Sequence, residues 1–517
     1  MSHPAVGIDL GTTFCALAAI NPAGKPEIVA NKEGERITAS AVYFQKDGPI
    51  LVGQLAADAA LGDPERVARW VKREMGNAEW QFQVDGRAFS PVDISAMILK
   101  KIRQDAESVL GPIKHAVVTV PAYFDEVRRK ATMDAAEEAG LEVLRIINEP
   151  TAAALAYASG GQTTGTLLVY DFGGGTFDVS IVKIASPEDI TVVASEGDHQ
   201  LGGFDLDKAL AAHFDEVFHA EFAVRLMDGK DKTAEHRTLA EAEKAKRKLS
   251  SMVTASPIPL NWGSHWMNAS VERSAFEDLI RDYLIRTEML IEDALSQAGL
   301  KTANIDGVIL VGGSTRVPAV KEMLRRKFKQ EPLRHVNPDE AVALGAALQA
   351  GMIMQERGLI QLPETAAAAL NKIQLQDVTN HSFGTTSVGE AYGREQLRNS
   401  IIIRKNTQIP CSKTESFYTI VPNQQEVNCE ITQGEDEDPE FVNTIAEGSL
   451  ELPAGRPAGC EIRVTYSYDA NGRMSCEFLD VESGETKRFD LDIAASSRKS
   501  RAVPDLQEVS FDDLVIE

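Results

Sequence analysis

Two short stretches of the chain combine residue types that can bind phosphate and a metal ion. Residues 7–13 read GIDLGTT and residues 167–180 read LLVYDFGGGTFDVS, so each places an aspartate, then glycine and threonine, after an apolar run. Glycine lets backbone N–H groups approach an anion, threonine adds a hydroxyl donor, and a carboxylate is a hard ligand for Mg²⁺. No lysine follows the glycines, as a Walker-type loop would require. Either stretch alone is equally well a hairpin turn, but the pair predicts two opposed loops around a magnesium-bound polyphosphate.

A third stretch and one helix carry further polar groups. Residues 308–318, VILVGGSTRVP, read as a strand that leads through two glycines into a helix. Backbone N–H groups at such a helix start suit phosphate or ribose, although an ordinary strand-to-helix turn has the same pattern. The segment 239–251 is predicted to be a helix. On it, Glu243, Lys246 and Ser250 fall at i, i+3 and i+7, so they form either one side of a ligand site or a solvated charged surface.

The elements that must position these residues form two regions. Up to about residue 355, short β-rich runs alternate with amphipathic helical patterns, which predicts α/β layers. The two glycine loops share the order apolar residue, aspartate, apolar residue, glycine. This echo predicts a duplicated α/β core in which the loops face one another. The clearest strand patterns are 7–20, 115–123, 166–172, 190–197 and 307–313, and the clearest helical patterns are 128–140 and 239–251.

The composition changes after about residue 355. Residues 363–372, PETAAAALNK, read as a connector, and from about residue 379 short strand patterns alternate with turn signals such as PNQ and GEDEDP. Regularly spaced strands of this kind are typical of a β-sandwich. The predicted division is an α/β ATPase domain over 1–355, a linker over 356–378, a β-sandwich over 379–495 and a polar tail over 496–517.

Composition and charge exclude several classes of function. With 43% hydrophobic and 25% charged residues, the 517-residue chain reads as an ordinary soluble protein. Its formal net charge of −24 argues against nucleic acid or an anionic membrane as the main partner. The five cysteines form no CxxC pair, which fits a reducing compartment and predicts no disulfide framework. With no signal-peptide pattern and no apolar run of about 20 residues, a cytoplasmic location is expected.

Together these stretches resemble the ATPase domain of the seventy-kilodalton heat-shock chaperones of the DnaK type, within the actin/sugar-kinase superfamily. The resemblance extends over most of the first 350 or so residues. INEPTAAALAYA and VTVPAYF separate the chaperones from actins and sugar kinases, which share only the fold and looser phosphate loops. The motifs that carry it, in the family's order, are GIDLGTT, VTVPAYF, IINEPTAAALAYA, DFGGGTFDVS, LGGFDLD, VILVGGSTRVP and NPDEAVALGAA.

The resemblance implies a role for individual residues in ATP hydrolysis. Asp9 and Asp171 would hold hydrated Mg²⁺, and Asp178 would help to coordinate K⁺. Lys72 and Glu149 would position and polarise the attacking water, although alone they read as an exposed helix lysine and a glutamate that ends a strand. Pro121 and Arg129 match positions that relay the nucleotide state to the second domain. The residues that would surround the nucleoside and phosphates are Gly11, Thr12, Thr13, Gly173, Gly174, Gly175, Thr176, Gly202, Gly203, Glu243, Lys246, Arg247, Ser250, Gly312, Gly313, Ser314, Arg316 and Asp339.

Residues 379–495 resemble the family's β-sandwich that binds extended peptides. An extended peptide would be held by main-chain hydrogen bonds, with an apolar side chain in a pocket. The same pocket residues can also be ordinary inward-facing residues of a sandwich. By position, Phe383, Phe417, Val427 and Cys429 would line the pocket, with Val388 and Ile420 near its rim.

Four features depart from the family pattern or go beyond it. In the linker NKIQLQDV (371–378), Ile373 and Leu375 alternate with glutamines, so less apolar surface is available for docking. About 22 residues follow the sandwich, so we expect a lidless short form with fast peptide exchange. Thr385 and His381 replace aliphatic residues and predict a more polar pocket. The tail sequence FDDLVIE (511–517) reads as a docking motif or as a segment that occupies the chain's own groove.

The sequence therefore predicts an ATP-dependent chaperone that hydrolyses ATP and binds extended or unfolded polypeptide, with a J-domain protein and a nucleotide-exchange factor as partners. Two other functions remain open. One is a non-chaperone ATPase of the same superfamily, such as a small-molecule kinase or a filament former. The other is a chaperone-like regulatory partner for which nucleotide is only a structural ligand.

Overall fold

The chain divides into two compact units. The computed structural model describes residues 3–160, 164–186, 188–333, 336–391, 394–469, 474–491 and 515–517. Unit 1 comprises Met1–Ala122, Ala131–Leu375 and Ala502–Glu517. Unit 2 comprises Tyr123–Lys130 and Gln376–Arg501.

Unit 1 consists of strands and helices in alternation. Its strands within the described residues are β1 (Val6–Asp9), β2 (Phe14–Ile20), β3 (Pro26–Ile28), β4 (Thr38–Ala39), β5 (Ala41–Phe44), β6 (Ile50–Val52), β7 (Val67–Arg69), β8 (Phe82–Val84), β9 (Arg87–Phe89), β10 (His115–Val120), β11 (Glu142–Asn148), β12 (Gly165–Phe172), β13 (Phe177–Ser186), β14 (Asp189–Asp198), β15 (Thr254–Trp262), β16 (His265–Glu272) and β17 (Gly307–Val311). The α-helices of the described residues are α1 (Gln54–Ala59), α2 (Pro91–Leu110), α3 (Glu126–Glu138), α4 (Glu149–Ser159), α5 (Gly203–Phe222), α6 (Lys232–Leu249), α7 (Arg273–Leu279), α8 (Arg281–Gln297), α9 (Pro318–Phe328), α10 (Ala341–Glu356) and α11 (Glu364–Lys372).

Two sheets of unit 1 repeat one pattern of strand order and direction. The first runs β3-β2-β1-β10-β11, with β1 antiparallel to β2 and parallel to β10. The second contains the order β14-β13-β12-β17, with β12 antiparallel to β13 and parallel to β17. β1 and β12 therefore occupy equivalent positions, as the predicted duplication requires. Asp9 and Asp171 lie at or next to their carboxyl ends.

The core of unit 1 brings two helices of small residues very close to their neighbours. Alanine and glycine in α4 and α10 leave almost no side chain between the packed backbones, and both helices are largely buried. A Cβ added to Gly345 would lie 1.7 Å from the carbonyl oxygen of Ala152, and one added to Gly7 would lie 2.0 Å from the backbone nitrogen of Ala347. The alanine-rich motifs of the sequence are thus packing surfaces that fix β1 against α10.

The segment 363–372, which the sequence predicts as a connector, contains the helix α11 (Glu364–Lys372). Its run of alanines favours a helix, and Pro363 and Glu364 suit the start of one. Ala366 and Leu370 are buried within unit 1. After α11 the backbone of Ile373 and Gln374 is extended. The Gln374 N–H donates to the Glu188 carbonyl at 2.6 Å.

Unit 2 is built from antiparallel strands. Its strands within the described residues are β18 (Gln374–Val378), β19 (Phe383–Ala391), β20 (Arg394–Ile403), β21 (Gln408–Ile409), β22 (Cys411–Tyr418), β23 (Glu426–Gln433), β24 (Asn443–Glu451), β25 (Glu461–Tyr468), β26 (Met474–Asp480) and β27 (Thr486–Leu491). Eight of these strands form two four-stranded sheets, β20-β19-β23-β24 and β22-β25-β26-β27, which enclose one apolar core, as predicted for residues 379–495.

None of the helices in the described part of the chain combines the length and apolar character that crossing a membrane needs.

Candidate nucleotide site

A cavity of about 420 Å³ opens in unit 1 where β1 and β12 end. This volume lies in the range of ligand-binding pockets. Its lining includes predicted residues that lie as far as 330 positions apart in the chain, from Asp9 to Asp339. The predicted residues that line it are Asp9, Gly11, Thr12, Thr13, Lys72, Glu149, Asp171, Gly173, Gly174, Thr176, Lys246, Arg247, Ser250, Gly312, Gly313, Ser314, Arg316 and Asp339.

The first glycine loop joins β1 to β2. Asp9 ends β1, and its carboxylate accepts a hydrogen bond of 3.1 Å from the Thr119 hydroxyl of the neighbouring strand β10. The turn after it is so tight that a Cβ on Gly11 would lie 2.0 Å from the Phe14 carbonyl oxygen. Glycine at this position is therefore a requirement of the turn, which places Thr12 and Thr13 at the cavity.

The second glycine loop joins β12 to β13 and is held by three hydrogen bonds, one within the loop and two from neighbouring segments. The Gly173 N–H donates to the Thr176 carbonyl at 3.1 Å and closes the turn. The Gly203 N–H at the start of α5 donates to the Gly173 carbonyl at 3.0 Å, and the Ser314 hydroxyl donates to the same oxygen at 2.8 Å. These bonds fix the loop from behind, so that its open side faces the cavity.

The two loops touch each other directly. A Cβ added to Gly174 would lie 2.0 Å from the Thr13 hydroxyl oxygen, and one added to Gly175 would lie 2.5 Å from the Thr12 methyl carbon. The glycines therefore allow a contact that other residues would block. This geometry is that of the two opposed loops predicted from the sequence.

Lys72 and Glu149 form a buried ion pair at the base of the cavity. Lys72 lies in a short 3₁₀ helix, Val71–Glu74, and is only 5% exposed, so it is not the exposed lysine of the alternative interpretation. Glu149 is the first residue of α4. The ring of Trp70, which precedes the 3₁₀ helix, stacks on Phe204 with 4.2 Å between ring centroids. This stack holds the segment that carries the lysine at its N-terminal end.

The carboxylates around Lys72 repel one another. Burial and the charge of Glu149 raise the pKa of Asp9 to about 7, against the opposing effect of Lys72. Burial, Glu149, Asp178 and Asp9 together raise the pKa of Asp171 well above its usual range. Burial alone would lower the pKa of Lys72, but Glu149 and Asp9 outweigh it, so the net direction is upward. The site therefore holds an excess of negative charge that one lysine does not balance.

This charge excess fits a bound Mg²⁺. Asp9 and Asp171 supply the hard oxygen atoms that Mg²⁺ prefers, and Mg²⁺ usually binds through one or two carboxylates plus water and substrate phosphate. Within the described residues no group of three or more His, Cys, Asp and Glu side chains is arranged to hold a metal ion. The two aspartates are therefore the residues that would hold the ion, and the remaining ligands would come from water and phosphate.

Asp171→Asn is expected to stabilise the nucleotide-free and metal-free protein at neutral pH. In the unfolded chain an aspartate ionises near pH 4, whereas the pKa of folded Asp171 is raised. Asp171 therefore lowers the stability of the wild-type protein as the pH rises from about 4 through the folded pKa, and this contribution is absent from the asparagine variant. One pKa unit corresponds to about 1.4 kcal/mol, or about 2 °C in Tm for a unit as large as unit 1.

Thermal unfolding in EDTA from pH 4 to pH 8 measures this difference. We expect the variant and the wild type to have the same Tm at pH 4, and we expect the Tm of the variant to exceed that of the wild type by a growing amount as the pH rises. A Tm difference that is independent of pH would contradict the charge argument. Adding Mg²⁺ and nucleotide is expected to restore the wild-type Tm and to have less effect on the variant.

The remaining walls come from α6 and from the turn after β17. The Lys246 ammonium donates to the Gly203 carbonyl at 3.0 Å and to Asp207 at 2.8 Å, which fixes it beside the second loop. The Arg316 guanidinium pairs with Asp339 at 2.5 Å. Gly312 has a φ of +80°, and a Cβ there would lie 2.5 Å from the Phe172 carbonyl oxygen. Gly312 thus allows this turn to approach the start of the second loop, where a Cβ would also lie 2.8 Å from the Gly173 nitrogen.

Five predicted residues do not line the cavity. Gly175, Gly202 and Gly203 lie behind it, where they permit close contacts of the backbone. Glu243 pairs with Arg247 at 2.6 Å and lines a neighbouring cavity. Asp178 is buried on β13 as the register partner of Asp171. The predicted contacts of these residues with nucleotide, and the coordination of K⁺ by Asp178, stay predictions.

Sequence reasoning missed the apolar part of the lining. Several of these apolar residues lie next to a predicted residue in the chain, but nothing in the sequence around Ile37 or Val342 distinguishes them from core residues. The apolar residues concerned are Phe14, Ile37, Val311, Val317, Pro338 and Val342.

The predicted peptide-pocket residues separate into buried and exposed groups. Phe383 and Cys429 are fully buried in the sandwich core, and Phe417 and Val427 pack against it half-buried. Val388 and Ile420 are exposed, as expected for a rim. The burial of the first pair agrees with the alternative that they are ordinary core residues, so the pocket stays a prediction.

Two polar residues of the sandwich, Thr385 and His381, and the two relay residues, Pro121 and Arg129, are buried or hydrogen-bonded. Thr385 is buried, and its hydroxyl donates to the Glu430 carbonyl at 2.7 Å, so its polarity is used within the sheet. Burial and the charge of Lys405 lower the pKa of His381 to about 4. Pro121 is buried directly after β10, and the Arg129 Nε donates to the Phe124 carbonyl at 3.1 Å. The relay role stays a prediction.

A comparison with protein families agrees with the motifs and the site. The family model described as Hsp70 protein matches residues 5–85 and 77–508, which is nearly the whole chain. The match extends through the nucleotide site of unit 1 and the strands of unit 2. The chain therefore belongs to the Hsp70 family, whose members are ATPases that act as ATP-dependent chaperones.

Proposed function

We propose that this chain hydrolyses ATP in the cavity of unit 1 and binds extended polypeptide through unit 2. The observation that carries the proposal is the buried Lys72–Glu149 pair, which lines the same cavity as two phosphate-type loops that touch. A fold of the actin type is consistent with the repeated strand order of the two sheets. Within this proposal, a J-domain protein and a nucleotide-exchange factor are the partners.

In the proposed reaction a water molecule attacks the terminal phosphoryl group of ATP. Such transfers need little covalent help from the protein, so catalysis consists of positioning and charge neutralisation. The Lys72 ammonium would face the charge that develops on the phosphoryl oxygens, and Glu149 would accept a hydrogen bond from the water. Because Lys72 already pairs with Glu149, the carboxylate is held in place before substrate arrives.

The loops and their supports would bind the phosphates. Gly11–Thr13 and Gly173–Thr176 would present backbone N–H and hydroxyl donors to the β- and γ-phosphates. Asp9 and Asp171 would hold Mg²⁺, which when bound neutralises phosphate charge, and Asp178 would help to hold K⁺. Lys246, Arg247, Ser250 and the turn 312–316 would surround the nucleoside.

The segment between the units is where ATP hydrolysis and peptide binding would be coupled. Ile373 and Leu375 are partly buried, and Gln374 makes a main-chain hydrogen bond to Glu188. A main-chain contact of this kind does not depend on leucine-rich side chains. We therefore propose that the glutamine-containing linker still transmits peptide binding to the ATPase site.

Single-turnover ATP hydrolysis with and without a permanently reduced, carboxymethylated protein tests the function. We expect hydrolysis in both reactions and a faster rate with the unfolded protein, by about fivefold, the lower end of typical coupling between sites. Gln374→Pro removes the N–H donor and is expected to abolish the stimulation while basal hydrolysis persists. Gln374→Ala keeps the donor and is expected to retain the stimulation.

The outcomes separate the proposal from its rivals. Tight nucleotide binding without any turnover, even with a J-domain protein, would favour a regulatory partner for which nucleotide is structural. Turnover without stimulation in the wild type would mean that the linker does not couple the two sites. Fast peptide exchange stays a separate expectation, measured as the dissociation rate of a fluorescent peptide.

A further inference from the structure

β6 is an edge strand with an apolar sequence. In the small sheet β6-β5-β7 of unit 1, β5 pairs with both neighbours and leaves one side of β6 without a partner from that sheet. The strand consists of Ile50, Leu51 and Val52, which are residues with high strand propensity or apolar character. An edge of this kind readily accepts a strand from another chain unless something covers it.

Three residues of the tail lie along this edge. The Ile50 N–H donates to the Val515 carbonyl, the Glu517 N–H donates to the Ile50 carbonyl, and the Val52 N–H donates to a Glu517 backbone oxygen, each at 2.9 Å. Ile516 is the parallel bridge partner of Ile50. This is the evenly spaced bonding of a parallel strand pair, so these residues act as a fourth strand of the sheet.

The side chains of this added strand alternate as those of a sheet do. Ile516 is 8% exposed, whereas its neighbour Val515 is 66% exposed. Neighbouring residues of a strand point to opposite faces, so only Ile516 is buried against unit 1. The prediction that FDDLVIE occupies the chain's own peptide groove is therefore not what the structure shows for Val515–Glu517. Leu514 lies outside the described residues.

We propose that Val515–Glu517 is a built-in strand that caps β6 of its own chain, and that β6 is a strand-addition site for extended segments with a buried aliphatic residue. Recognition in such sites comes from main-chain hydrogen bonds, and one pocket for an alternate side chain adds selectivity. Attachment to the same chain gives the tail a high effective concentration at β6, so it excludes other segments. Its displacement opens β6 to an extended segment of a partner protein.

Residue-resolved hydrogen exchange tests the capping. Ile516→Asp places a charge on the buried face, and Val515→Asp places the same charge on the exposed face, so the two variants form a matched pair. We expect the amide hydrogens of Ile50 and Val52 to exchange about tenfold faster or more in Ile516→Asp and to remain near the wild-type rate in Val515→Asp. The Gly53 N–H, which bonds the Ala41 carbonyl at 3.1 Å, serves as the internal control for intact folding.

A peptide added in trans tests the binding site itself. A fluorescent FDDLVIE peptide is expected to bind the chain that lacks residues 515–517 and not to bind the full chain. Replacing isoleucine by aspartate in the peptide is expected to abolish binding. A peptide N-methylated at the position of Glu517 loses the donor to Ile50 and is expected to fail, whereas methylation at the position of Ile516 removes no bond to β6 and is tolerated.

Three results would overturn the proposal. One is equal exchange of the Ile50 and Val52 amides in the wild type and Ile516→Asp. The second is protection of these amides that increases with protein concentration, because a second copy would then supply the strand. The third is no binding of FDDLVIE to the truncated chain while its Gly53 amide remains protected.

Discussion

Lys72→Ala is expected to lower the single-turnover rate of ATP hydrolysis by about 10²–10³-fold, the loss typical of removing one fixed group that stabilises charge in a transition state. The lysine lies 5% exposed at the base of the cavity and pairs with Glu149, so no solvent ion replaces it easily. MgATP affinity is expected to change much less, because the loops and the walls of the cavity provide most of the predicted phosphate and nucleoside contacts. Quench-flow hydrolysis and equilibrium binding of a fluorescent ATP analogue measure the two quantities separately.

Loss of stability has to be distinguished from loss of catalysis. Removing Lys72 leaves Glu149 buried without its partner, beside Asp9 and Asp171, and breaking a buried pair is strongly destabilising. The double variant Lys72→Ala/Glu149→Gln removes that charge and is expected to fold well and remain inactive. Lys101→Ala is the matched control, since Lys101 is also buried and pairs with Asp105 at 2.6 Å without lining the cavity.

The assignment of Lys72 would be wrong if its variant hydrolysed ATP within tenfold of the wild type. An equal loss of activity in Lys101→Ala would show that both variants act through general destabilisation. A loss of nucleotide binding that parallels the loss of hydrolysis in Lys72→Ala would mean that Lys72 contributes to ground-state binding and not to the chemical step.

Local physical requirements made the loops predictable from sequence. The turn at Gly11 cannot accommodate a side chain, because a Cβ there would collide with the Phe14 carbonyl oxygen three residues later. A requirement of this kind appears in the sequence itself, as a glycine within a few residues of the strand end. The strands around the loops show apolar runs of the expected length. The duplication is also visible, because both halves need the same aspartate and glycine at the same place.

Contacts between residues that are distant in the sequence produce no local sequence pattern of this kind. Lys72 and Glu149 are 77 positions apart, and only the family resemblance linked them. The three residues of the added strand are too few to show an alternating pattern, and β6 lies at the other end of the sequence. The alternation in β19 and β23 tells which side chains face the core, but not which core residues, such as Phe383 and Cys429, would border a pocket. Proline and alanine suit both a connector and a helix, so the sequence of residues 363–372 did not by itself predict the helix α11.

Gly202→Ala is expected to weaken MgATP binding by about 10²-fold, although Gly202 does not line the cavity. A Cβ at this position would lie 2.5 Å from the backbone N, Cα and C atoms of Gly175, and backbone atoms cannot rotate away as a side chain can. The second loop would therefore have to shift relative to α5, and displacements of about 1 Å cost about 10²-fold in a site of fixed geometry. Gly202 itself has an extended backbone, which alanine adopts without strain, so the effect comes from the contact alone.

Equilibrium titration with a fluorescent ATP analogue measures this loss, and circular dichroism checks that the variant is folded. Gly62→Ala is the control, because a Cβ there would meet no atom within 4 Å. A Gly202→Ala variant with wild-type affinity would show that the loop adjusts without cost, and the argument from close packing behind the loop would then fail. If both the affinity and the Tm fell together by large amounts, the contact would serve the stability of unit 1 in general. A loss of affinity with little change in Tm is the expected result, since the contact holds one loop in position while the core packing of α4 and α10 is untouched.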